Sequence, residues 1–297
     1  MARFAILYLL FFITTALPAQ QIPDTSRFFS IGTPRFAAGE GPVVMIDAAH
    51  NNFHTLEGRY RAFGNILEAD GYRLLSNEEP FTAEALKRCD ILVISNPLHA
   101  SNNQGAWHLP TPSAFSAEEI RAVEQWVAGG GSLFLIADHM PFAGAAAELG
   151  RAFGFEILNS FALDNRQRQV EYFTRQKGLL RESPITEGLD SIVTFTGSAF
   201  LIPTTAAPLI SLDEHYTILM PVEAWNFTDD TPFMRGSGLH QLASRVYGRG
   251  KVMLSGEAAM FSAQLAGANQ MPVGMNQPEA RQNPQLLLQI MAWLSEP

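Results

Sequence analysis

Ser116-Ala-Glu-Glu-Ile-Arg-Ala-Val-Glu-Gln-Trp-Val-Ala-Gly-Gly-Gly-Ser-Leu-Phe-Leu-Ile-Ala-Asp138 is the stretch that decides the fold. Ser116 and Glu119 are spaced as a capping box, in which the serine side chain takes a backbone N–H and the glutamate reaches back. Ile120, Val123, Trp126 and Val127 recur at helical spacing, and Gly129 to Gly131 end the helix. Leu133 to Ala137 is then a continuous apolar run, the pattern of a strand buried on both faces. One capped helix delivering one fully apolar strand is the unit of an α/β fold.

The same unit repeats outward. Val43 to Ile46 is an apolar run closed by Asp47; Tyr60, Phe63, Ile66 and Leu67 follow at helical spacing, with Gly71 as the stop. Tyr72–Leu75 and Ile91–Ser95 read as the next strands, Ala143–Phe153 as a helix, and Phe155–Leu158 as a short strand. Val252–Ser255 is a last core strand, and Pro284–Leu294 a terminal helix burying Leu287, Ile290, Met291 and Leu294. Alternation of this kind predicts an open, flavodoxin-like α/β sheet, mainly parallel, with helices on both faces. Between these elements, residues 160–190 are polar and charged, with Arg166, Arg168, Arg175, Lys177 and Arg181, and read as an insertion: an anion-binding flap or a solvated excursion.

The ends and the composition set the context. Arg3, the apolar run Phe4–Ile13 and the small-residue exit to Ala19 predict a signal peptide over residues 1–19 and an exported protein. The run is shorter than the about 20 residues a membrane span needs. Residues 20–40 read as an extended lead-in. With 29 acidic against 20 basic residues and no basic block, nucleic acid is an unsuitable partner. Cys89 is the only cysteine, so no intrachain disulfide forms.

Chemistry-bearing residues collect where the strands end. His50, His54, His99, His108 and His139 all follow apolar runs, as do Asp47, Asp138 and Glu257. In a parallel sheet such residues meet at the carboxyl edge, where ligands bind. Asp47, His50 and His54 carry donors suited to Zn²⁺ or another divalent ion, which would activate water; as an alternative they cap helices and tie loops. Asp138, His139 and Glu257 are the candidate catalytic groups, with Glu257 either a general acid/base or a helix cap. Asn52, Asn96, His99 and Trp107, on the loops after two strands, are the expected substrate contacts. Trp107, Trp225, Phe227 and Phe233 sit in polar, proline-containing segments, where aromatic rings stack on sugars or cover a core edge. No Gly-x-Ser-x-Gly elbow and no phosphate loop occurs.

Cys89-Asp-Ile-Leu-Val-Ile-Ser95, the capped helix with its glycine run and Leu133–Asp138 together resemble the class I glutamine amidotransferase-like superfamily. The closing Tyr247-Gly-Arg-Gly-Lys-Val252, Ser255-Gly-Glu257 and Trp293-Leu294 resemble its exported branch of unknown function. The resemblance implies one such α/β domain over residues 41–297. It departs at the family's nucleophile: the turn after Leu133–Ala137 carries Asp138 and His139 in place of a cysteine, so glutaminase chemistry is excluded. Two functions remain open. One is an exported hydrolase acting on a small polar or glycan-derived substrate, with or without a metal. The other is a non-catalytic module binding a carbohydrate or envelope component.

Overall fold

The computed structural model describes residues 21–26, 29–166 and 170–296, so the signal-peptide reading lies outside the described residues. A nine-stranded sheet forms the centre. Its strands are β1 (Val43–Asp47), β2 (Arg73–Asn77), β3 (Ile91–Ser95), β4 (Ser132–Ile136), β5 (Glu156–Leu158), β6 (Ala199–Leu201), β7 (Ala206–Ser211), β8 (His240–Tyr247) and β9 (Gly250–Ser255). The spatial order is β2-β1-β3-β4-β9-β8-β6-β5, with β7 also paired to β8.

Half of that sheet is parallel and half is not. β2, β1, β3, β4 and β9 run parallel to their neighbours. β8, β7, β6 and β5 add on antiparallel. Three smaller antiparallel sheets are built from Gln21–Pro23 with Ala263–Ala266 and Met271–Gly274, from Phe161–Asp164 with Tyr216–Leu219 and Phe233–Arg235, and from Glu171–Thr174 with Ser191–Thr194. Strands outnumber helices in residues. The expectation of a mainly parallel, flavodoxin-like sheet is thereby corrected: the fold is a strand-rich, mixed α/β assembly. The physical reason lies in the turns. Tyr247 pairs with Gly250 across a tight reversal in which Gly248 takes a φ of +61°, so β9 follows β8 as a hairpin, not through a helical crossover.

The helices are α1 (Arg61–Ala69), α2 (Ala83–Leu86), α3 (Ala117–Ala128), α4 (Phe142–Ala152) and α5 (Asn283–Ser295). Successive residues of the parallel strands point to opposite faces, so Val44, Ile46, Val93 and Ile136 join Phe63, Leu67, Leu287 and Ile290 of α1 and α5 in one core. Met45, Leu92, Leu135 and Leu254 join Leu86, Val123, Val127 and Leu149 in the other. Each fully buried side chain of this size contributes about 1.5–3 kcal/mol relative to exposure. Residues 160–190 also enter the core, burying Phe161, Phe173, Leu180 and Leu189 completely or nearly so. The extended lead-in is tied down in part, as the strand Gln21–Pro23. Because β1, β3, β4 and β9 share a direction, Asp47, Ser95, Ala137 and Ser255 end at one sheet edge.

Candidate functional site

Asp47 and His50 do meet at that edge, in a network of their own. His50 Nδ1 donates to Asp47 Oδ2 at 2.8 Å and Nε2 donates to Glu119 Oε1 at 2.9 Å. Two carboxylate acceptors require protons on both nitrogens, so the ring is an imidazolium. Burial opposes that charge, but the hydrogen bonds and charges of Asp47 and Glu119 outweigh burial and raise the His50 pKa. Phe81 and Phe115 pack on the ring at 4.6 and 4.7 Å between centroids. Glu119 does double duty. Its Oε2 accepts the Ser116 N–H and hydroxyl to close the capping box, while Oε1 accepts from Phe81 N–H and His50.

This arrangement does not bring Asp47, His50 and His54 together as the expected metal set. A ligating imidazole needs a lone pair, and His50 has spent both nitrogens as donors. His54 makes no bond to either partner and is almost fully buried against Tyr60, with ring centroids 4.7 Å apart. Among the described residues, no group of three or more His, Cys, Asp or Glu side chains is placed to hold a metal ion.

Asp138, His139 and Glu257 gather next to each other further along the edge. Glu257 is 1% exposed, and its two oxygens accept the N–H groups of Ala259 and Met260 at 3.0 and 2.7 Å. It therefore caps the short 3₁₀ turn Ala259–Phe261, the structural half of the sequence expectation. Burial, then the Asp138 charge, raises its pKa well above the ordinary carboxylate range. Asp138 is 8% exposed; its Oδ1 accepts the His139 N–H at 2.7 Å, and its own N–H donates to Asn96 Oδ1 at 2.9 Å. His139 Nδ1 donates to the Met140 carbonyl at 2.7 Å.

His139 is walled by aromatic rings. Phe161 stacks on it at 4.6 Å with planes 13° apart, Trp225 stands edge-on at 4.8 Å, and Phe142 and Trp107 lie at 5.7 and 6.1 Å. Phe227 extends the group over Phe161 at 5.2 Å. Two loops build this wall. Leu109 N–H donates to the Val222 carbonyl and Ala224 N–H to the Trp107 carbonyl, both at 2.8 Å, clamping residues 107–109 to 222–224. Trp225 is left 52% exposed and Phe227 37% exposed.

The expected substrate contacts divide. Trp107 belongs to the wall. Asn96 orients Asp138, as described. Asn52 is a loop tie, accepting the His50 N–H at 3.0 Å and donating to the Ser95 carbonyl at 3.3 Å. His99 caps the turn Ala100–Asn102 by accepting the Ser101 N–H at 3.1 Å. Sequence reading missed Glu119 as a partner of His50 and Phe161 as the stacking partner of His139. Cys89 lies at the opposite end of β3, buried, its thiol pushed up to about 12 by burial and by Asp90. No helix among the described residues is long and apolar enough to cross a membrane.

No family model matches the chain, and no curated protein matches it. Among solved structures, the mmIFT52 N-terminal domain superposes with a TM-score of 0.61 at 14% identity, over 86% of this chain and 98% of that one. A ThuA-like protein from Bacteroides uniformis matches with a TM-score of 0.48 at 14% identity, over 90% and 94%. The first shares the fold; at this identity neither carries an activity across.

Proposed function

We propose that this is an exported protein that binds a carbohydrate at the aromatic wall formed by Trp225, Phe227 and Trp107 around His139. The observation that carries the reading is Trp225. It is half-exposed and held at a φ of +67°, a left-handed conformation that bulky side chains avoid. Such a conformation costs on the order of 1–3 kcal/mol and persists where the surroundings enforce it, commonly at ligand clamps. Phe161 and His139 pack on the indole at 4.6 and 4.8 Å. A sugar ring offers apolar C–H faces to stack on such a surface and hydroxyl edges to pair with His139 and Asp138.

Binding is favoured over hydrolysis by how the other groups are used. His50 is committed to two ion pairs and Glu257 to backbone capping. The segment order from Cys89 to Asp138 supports placing the chain beside the amidotransferase-like superfamily, with this edge used for recognition in place of thiol chemistry. The test is calorimetry of the protein with glucosides, galactosides, mannosides and N-acetylglucosaminides and their short oligomers. Trp225→Ala should weaken whichever sugar binds by at least about ten-fold, the loss of roughly 1.4 kcal/mol or more expected for truncating an aromatic anchor. Unchanged affinity in that variant refutes the platform. Release of free sugar from a bound oligomer by the wild type would instead favour catalysis.

A further inference from the structure

The strand Phe233–Arg235 ends its three-stranded sheet with one side unpaired. Gly236 N–H donates to the Tyr216 carbonyl at 3.0 Å and Met220 N–H to the Pro232 carbonyl at 2.9 Å. Residues 232, 234 and 236 are therefore the ones bonded to the neighbouring strand Tyr216–Leu219. Antiparallel alternation then aims the N–H and C=O groups of Phe233 and Arg235 outward, and they find no backbone partner among the described residues. Pro232 takes nothing from this edge, because the side on which it lacks an N–H faces Met220.

The edge is also apolar on both faces, with Phe233 62% exposed and Met234 41% exposed. With Leu109, Val222, Trp225 and Phe227 they make six of the ten large apolar side chains left exposed among the described residues. The Leu109–Val222 and Met220–Pro232 backbone bonds join the strand and these loops into one surface. Exposed apolar patches of this kind mark contact sites, and an open strand beside one suits the addition of a further strand. Residues 231–239 hold no Asp or Glu, although the chain has 29 acids against 20 bases, so two copies can meet here without opposing carboxylates.

We propose that a second copy of this chain pairs along Phe233–Arg235, joining two three-stranded sheets into one of six strands. The edge is complementary to itself. About a two-fold axis through Met234, Phe233 of each copy lies opposite Arg235 of the other, and the outward groups of these two pairs make four hydrogen bonds. Phe233 and Arg235 share a strand face, where Arg235 is held by donating from Nη1 to Thr217 Oγ1 at 3.2 Å, so each ring meets a guanidinium. An axis through Arg235 would instead set like charges directly opposite, which is unfavourable. A ladder of three residues covers far less than the about 800 Å² per partner of a standard interface. The flanking Leu109 and Val222 therefore belong to the contact, and the dimer is a concentration-dependent one. The proposal is independent of the carbohydrate reading.

Sedimentation velocity from roughly 1 to 500 µM reads the association. The wild type should pass from monomer to dimer over that range. Met234→Lys sets two like charges on Cα atoms about 4.5 Å apart at the axis, and should raise the dissociation constant at least ten-fold. Its melting temperature at the lowest concentration should match the wild type, because the side chain it replaces is exposed. Cysteine variants test the register. The spacing at the axis suits a disulfide, so Met234→Cys should give a covalent dimer with oxidised glutathione, whereas Phe233→Cys, whose counterpart is Arg235, should not. Cys89 is buried and stays out of the reaction. A wild type that is monomeric throughout overturns the second copy and leaves the edge to an extended segment of another protein. A dimer that Met234→Lys leaves intact, or that Phe233→Cys links as readily as Met234→Cys, overturns this pairing.

Discussion

His50→Ala measures how much of this fold hangs on one buried cation. In the wild type the imidazolium bridges Asp47, which is fully buried, and Glu119, whose side chain is 13% exposed. Deleting it leaves Asp47 as a buried carboxylate supported by the Ala49 N–H at 3.2 Å and the Asn77 amide at 3.4 Å. Removing one partner of a buried ion pair costs about 3–5 kcal/mol, most of it the penalty on the charge left behind. A loss of that size at pH 6 is the expectation, read as a shift in the urea midpoint with an unchanged slope.

The pH dependence sharpens the test. The folded-state pKa of His50 is raised above 6.5, so its contribution is fully present below about 6.5 and is lost as pH rises through the folded value. The cost of His50→Ala should therefore be larger at pH 6 than at pH 9. Glu119 works in the other direction: burial raises its pKa, but the Ser116 and His50 hydrogen bonds prevail and lower it, so its share is lost as pH falls below the usual 4.5. A cycle with Glu119→Gln should give a coupling of about 0.5–3 kcal/mol. A cost of less than about 1 kcal/mol at pH 6, or the same cost at pH 6 and pH 9, would refute the imidazolium bridge.

The remaining expectations are more local. Gly71→Ala should destabilise by more than about 2 kcal/mol in denaturant, because Gly71 holds a φ of +91° and a Cβ would run into the carbonyls of Phe36 and Ala37. Ser116→Ala should cost about 1 kcal/mol through loss of the α3 cap, also by urea unfolding. For Glu257→Gln the informative quantity is a slope. Burial and Asp138 raise the Glu257 pKa, so the wild type loses stability as pH climbs above 4.5, and the variant's melting temperature should decline less between pH 5 and pH 8. A chelator should leave the wild-type melting temperature unchanged, since the histidine expected to anchor a metal donates from both nitrogens.

The parallel strands were legible because each residue of β3 and β4 is buried on one face or the other, which forces an unbroken apolar run. The antiparallel part carries a different code. Glu171–Thr174 and Tyr216–Leu219 alternate between buried and half-buried positions, and β8, His240–Tyr247, mixes Gln, Ser and Arg into its eight residues. Such segments look like polar loops in a search for apolar runs. The signal that would have found β8 is Tyr247-Gly-Arg-Gly250, which reads as a family motif but acts as a hairpin turn.

At the site, strand ends were informative about position and uninformative about partners. Asp138 and His139 are adjacent in sequence and stay adjacent in space, whereas His50 and His54, four residues apart on an irregular segment, diverge into two environments. His50 finds two carboxylates and becomes a cation; His54 finds Tyr60, Phe53 and Arg59 and stays neutral. What separates them is Glu119, which the sequence places in a capping box. A capping carboxylate keeps one oxygen for the helix and leaves the other for whatever faces that helix start, and here that is His50. Deciding which histidine it would claim takes the packing of α3 beside β1 and β3, a long-range fact that no local pattern holds.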